Sequence, residues 1–90
     1  MGGRSLDGDW RVERVSGLLP PVAMRKRVDG DSGVTQVGPL RLPFRVVGTT
    51  LQYRPPLQAF ADELQASGDG FAGRAKIFGR EYARFRLVPD

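Results

Sequence analysis

Ninety residues without a cysteine or a histidine make one domain with one well-filled core, since a chain this short buries only about 60 to 65% of its unfolded surface. The composition excludes disulfide staples, the commonest zinc, copper and haem ligands, and the usual general base at neutral pH. The formal charge of +4 rests on twelve arginines and two lysines, which a GC-rich genome explains more readily than an anionic partner does.

Met1 to Ser5 are small or polar and read as a disordered tail, leaving residues 6–90 as a single domain. Nothing resembles a secretory leader or the ~20 apolar residues of a spanning helix, so the expected location is the cytoplasm. In Leu6-Asp7-Gly8-Asp9-Trp10-Arg11-Val12-Glu13-Arg14-Val15, Gly8 and Asp9 turn the chain into a strand. Its Trp10, Val12 and Arg14 face one way and Arg11 and Glu13 the other. Ser16-Gly17-Leu18-Leu19-Pro20-Pro21 breaks that strand, and its two leucines suggest a loop that tucks into, or lids, one end of the fold.

A second strand runs from Val22 to Val28 with Met24 and Lys26 on its inner face. Asp29-Gly30-Asp31-Ser32-Gly33 turns into a third at Val34 to Val37, and a fourth spans Leu42 to Val47 with Pro43 near its start. Gly48-Thr49 leads to a fifth, Thr50 to Arg54, which Pro55-Pro56 ends. Residues 57–66 fit either period: Leu57, Phe60, Ala61 and Leu64 have helical spacing, Phe60, Asp62 and Leu64 strand spacing. Their neighbours favour a sixth strand. Phe71 to Phe78 and Glu81 to Val88 complete the set around Gly79-Arg80. Eight short strands joined by tight turns predict an all-β fold, a small antiparallel up-and-down β-barrel, with a sandwich or a seven-stranded barrel as the alternatives.

Gly8-x-Trp10 opening the first strand, with the arginine-rich last strand Gly79-Arg80-Glu81 to Arg84-Phe85-Arg86-Leu87, resembles the lipocalin and fatty-acid-binding protein (calycin) superfamily in miniature. The resemblance implies that Trp10 closes the barrel floor with Arg84 or Arg86 packed across it. It also implies a ligand inside.

Closing the barrel by apolar matching sets Trp10 opposite Phe85, Val12 opposite Ala83 and Arg14 opposite Glu81, all inward. The inward polar residues are then Arg14, Lys26, Asp62 and Glu81, while Gly73 and Ala75 leave space on the seventh strand. A ligand site is expected from Arg14, Lys26 and Tyr53 around a polar head, and from Met24, Phe44 and Phe60 along an apolar body. Asp62 and Glu81 would compete by neutralising the cations. The expected partner is one compact apolar or weakly acidic molecule, held by a monomer or weak homodimer without cofactor or metal. The alternatives are an interaction module using an outer wall of Arg11, Arg25, Arg27, Arg84 and Arg86 with Tyr82 nearby, or a packed barrel with no ligand. The partner of that wall would be nucleic acid or an anionic surface, though such arginines are more often a solvated face with cross-strand partners than a nucleic-acid site. An enzyme would have to draw on Tyr53, Asp62, Glu81 or Arg14, and no motif supports one.

Overall fold

A computed structural model describes residues 5–19 and 22–90; residues 1–4 of the expected tail 1–5 and the pair Pro20-Pro21 lie outside the described residues. The strands are β1 (Gly8–Gly17), β2 (Met24–Asp29), β3 (Ser32–Val37), β4 (Leu40–Val47), β5 (Thr50–Tyr53), β6 (Phe60–Ser67), β7 (Gly70–Ile77) and β8 (Arg80–Pro89). Each pairs antiparallel with its neighbour in sequence, and β8 returns to β1. The sheet is therefore a closed up-and-down barrel.

The ambiguous segment is a strand from Phe60 onward. Its helical spacing comes from a turn just before it, where Leu57 N–H donates to the Arg54 carbonyl at 2.8 Å and Phe60 N–H to the Leu57 carbonyl at 2.9 Å. That turn carries Leu57 to the same face as Phe60, and both pack against the core.

Tight turns set the registers. Asp29 pairs with Ser32, so the loop between β2 and β3 is only Gly30-Asp31, with Gly30 at φ 66°, where a side chain would be strained. Once that turn is placed, every later pair follows, including Lys26 with Thr35.

The sheet has two bulges, one of which corrects the expected facing. The β7–β8 register steps from Ala75↔Ala83 to Lys76↔Glu81, leaving Tyr82 as the extra residue. A bulge places two successive residues on one partner and resets the alternation. Tyr82, expected outside, thus packs against the core beside buried Ala83. Glu81, expected inside, lies outside with Arg84 at 2.8 Å and Arg74 at 3.8 Å. The second bulge lies between Arg14 and Ser16 of β1.

The β1–β8 seam differs from apolar matching by four residues: Trp10 pairs with Pro89, Val12 with Leu87 and Arg14 with Phe85. An even shift keeps every side chain on its face, so parity cannot choose among such registers, and the stagger needed to close the barrel does. The expected Arg14–Glu81 ion pair does not form. Nor does Gly73 leave room: it lies opposite Phe85, whose ring occupies the place a Cβ would take. Gly33 and Phe44 on β3 and β4 are matched in the same way.

One end of the barrel is packed. The Trp10 ring stands edge-on to Phe71 at 5.4 Å and its Nε1 donates to the Leu6 carbonyl at 2.7 Å. Around it Val28, Leu51, Leu64 and Leu87 are buried. The connections after β1, β3, β5 and β7 gather at the other end, where Leu19 is buried and Leu18 is 82% exposed. The loop expected to tuck or lid thus splits between its two leucines.

Candidate functional site

Four inward side chains from four strands meet in the barrel: Lys26 of β2, Thr35 of β3, Tyr53 of β5 and Asp62 of β6. All are buried. Lys26 Nζ donates to Thr35 Oγ1 at 2.7 Å and to Tyr53 OH at 2.8 Å, and it lies 2.9 Å from Asp62 Oδ2. The Tyr53 hydroxyl donates to the same Asp62 oxygen at 3.0 Å. Its one proton is spent there, so in the 2.7 Å contact with Thr35 the threonine is the donor.

A lone ammonium in this position would be prohibitive; this one has three acceptors and a counter-charge. It also lies 5.5 to 5.8 Å from the ring centres of Tyr53, Phe85 and Phe44, whose faces attract cations. Burial alone pushes the Lys26 ammonium down, but the Asp62 charge and the hydrogen bonds outweigh it, and its pKa is raised. Burial raises the Tyr53 phenol in spite of Lys26 beside it. Among the described residues no buried side-chain nitrogen or oxygen lacks a partner.

This cluster forms the floor of a cavity of about 440 Å³ at the barrel end opposite Trp10. Apart from the four polar groups and Tyr82, its walls are apolar: Val12, Leu19, Met24, Val37, Leu40, Leu42, Leu57, Phe60 and Phe85. Phe60 and Tyr82 meet edge-on at 6.1 Å. Burial, followed by the Asp62 charge, raises the Tyr82 phenol as well.

Of the residues expected to hold a ligand, Met24, Lys26, Tyr53 and Phe60 line this cavity. Phe44 does not: it is fully buried, edge-on to Tyr53 at 5.8 Å. Arg14 stays exposed at the rim, where its guanidinium donates to the Leu19 carbonyl at 3.2 Å. Among the barrel-closing candidates, Trp10 packs on Phe71 rather than Phe85, Arg84 pairs with Glu81 on the outer face and Arg86 donates to Ser67 at 3.4 Å.

Thr35, Leu42 and Tyr82 escape a reading by residue type. Thr35 sits between valines of conflicting parity, and the five-residue turn assumed before β3 hides its pairing with Lys26. Counting from the two-residue loop Gly30-Asp31 would have revealed it.

On the outside, Arg11 pairs with Glu13 at 3.1 Å, Arg25 with Asp90 at 3.2 Å and Arg27 with Asp9 at 3.6 Å. The groove of about 800 Å³ over this wall is lined by both signs of charge, Arg25, Arg27, Arg41 and Arg54 with Asp9, Asp29 and Asp90. Among the described residues no group of acidic side chains could hold a metal ion, and no helix is long and apolar enough to cross a membrane. No family model, curated protein or solved structure matches the chain.

Proposed function

We propose that this barrel is a small lipocalin-like binding protein, a miniature member of the calycin type, that takes one compact apolar or weakly acidic molecule into the cavity above Lys26. The observation that carries this reading is the contrast between the two ends. One is filled by Trp10, Phe71 and Leu87; the other holds about 440 Å³ of apolar-walled space over a single polar cluster. A concave apolar site with a few convergent polar groups is how proteins hold small molecules. The outer arginines support the alternative less well, because four of the five are paired with acids and the groove over Arg25 and Arg27 carries both signs of charge. A strand of phosphates would meet aspartates there.

The test is a thermal-shift and native mass-spectrometry screen of the full chain against small apolar molecules, with N-phenyl-1-naphthylamine as a fluorescent probe. A ligand at about a hundredfold excess over its Kd adds about 2.7 kcal/mol, which for a chain of this size raises Tm by about 10 to 20 °C. Leu42→Trp, which fills the cavity, should abolish the probe signal while the unliganded barrel still melts cooperatively. No shift with any compound and no probe binding would leave the packed barrel without a ligand as the better reading.

A further inference from the structure

Resting on that binding reading, we infer that the molecule in the cavity presents a neutral hydrogen-bond donor, an alcohol, phenol or amide N–H, to the free oxygen of Asp62, and that carboxylates are excluded. The argument is an inventory of protons. Lys26 has three N–H donors and spends them on Thr35, Tyr53 and Asp62. Thr35 donates to Tyr53, and Tyr53 donates to Asp62. Every donor of the floor is therefore consumed, and the chain of hydrogen bonds ends on one carboxylate oxygen, Oδ2.

Its sister, Oδ1, accepts nothing from the described residues. The Asp62 side chain is only 7% exposed, yet none of its oxygens is both sealed and unpaired, and it lines the cavity. Oδ1 thus presents its lone pairs to whatever fills that space. A carboxylate ligand would meet a negative oxygen and a lysine already neutralised. An alkylammonium would satisfy Oδ1 but would share the floor with the Lys26 charge. A neutral O–H or N–H gains a charge-assisted hydrogen bond at no such cost. The Tyr82 hydroxyl on the wall either donates or accepts, so it favours none of these heads over another. A phenol, acidic in water yet neutral at pH 7, belongs to the accepted class.

The experiment uses calorimetric titration of the wild-type chain at pH 7 with matched ligands on two apolar bodies: 2-naphthol, 2-methoxynaphthalene and 2-naphthoate, then decan-1-ol, decyl methyl ether and decanoate. The alcohol or phenol is expected to bind about tenfold or more tightly than its ether, with the carboxylate weakest. Ether and alcohol binding equally, a carboxylate binding best, or an ammonium analogue (decylamine) surpassing the alcohol would each overturn the inference and leave the binding function standing. No binding by any of the series would overturn both. The double variant Lys26→Met/Asp62→Leu, which removes both charges, should bring alcohol and ether within about twofold of one another; a preference that survives in it places the recognising group elsewhere.

Discussion

Lys26 is the residue on which the interior turns. Its ammonium is held by side chains from three other strands, so the same contacts that neutralise it also tie β2, β3, β5 and β6 together. Protonation links this cluster to stability. The folded barrel holds the Lys26 proton above its ordinary 10.5 and the Tyr53 proton above its ordinary 10.0. Below about pH 10 both contributions are complete. As pH rises past that point the unfolded chain releases protons that the folded chain still keeps, so unfolding gains and stability falls. Tm is therefore expected to be level between pH 8 and 9.5 and to drop toward pH 12, with a smaller drop in Lys26→Met/Asp62→Leu. An equal drop in both proteins would mean that other groups govern the alkaline transition.

At the scale of elements, paired glycines and phenylalanines explain how so narrow a barrel accommodates its aromatic rings. Phe85 lies over Gly73 of β7, and Phe44 lies over Gly33 of β3. An inward glycine next to an inward ring is cross-strand packing, a large residue filling the space of a small one. A methyl group at position 73 would collide with the Phe85 ring, which also bounds the cavity and faces Lys26. Gly73→Ala is expected to cost about 1 to 3 kcal/mol in urea denaturation, the range for overpacking a tight core, with an unchanged denaturant slope. An unchanged midpoint would show that the ring moves aside freely. The bulge at Tyr82 works at the same scale, since one extra residue turns a phenol into the cavity wall and a carboxylate out of it.

For the whole molecule, closure is complete but uneven. β7 and β8 pair from Phe71↔Leu87 to Ile77↔Arg80 across one bulge, whereas β5 meets β6 at three pairs, Thr50↔Glu63, Leu51↔Asp62 and Gln52↔Ala61, extended by one backbone bond from Leu64 N–H to the Thr49 carbonyl at 2.9 Å. A barrel opens where its ladder is shortest. Two of the four polar residues of the cavity floor, Tyr53 and Asp62, stand at this seam, so opening it also exposes the proposed site. Hydrogen exchange followed by mass spectrometry is expected to show residues 50–62 exchanging ahead of residues 70–87, with ligand slowing the former most. Uniform protection around the barrel would contradict this. A cavity beside the weakest seam has a route of entry that does not require the Trp10 end to loosen.

Strand alternation and turn residues alone locate seven of the strands and their antiparallel hairpins, because period two and glycine-centred turns are local properties of the chain; β6, whose residues fit either period, is favoured as a strand only by its neighbours. They also place Lys26, Tyr53 and Asp62 on inner faces, since each lies in step with apolar neighbours. Tertiary structure decides the rest. The β1–β8 stagger, the bulge that exchanges Tyr82 and Glu81 between the two faces, and the filling of the space over Gly73 by Phe85 all follow from closing eight tilted strands into one ring. No single strand carries that constraint. Whether Lys26 is free to bind an anion is of the same kind: it depends on Thr35, Tyr53 and Asp62 reaching one point from three other strands. That convergence is a matter of register, to which parity is blind.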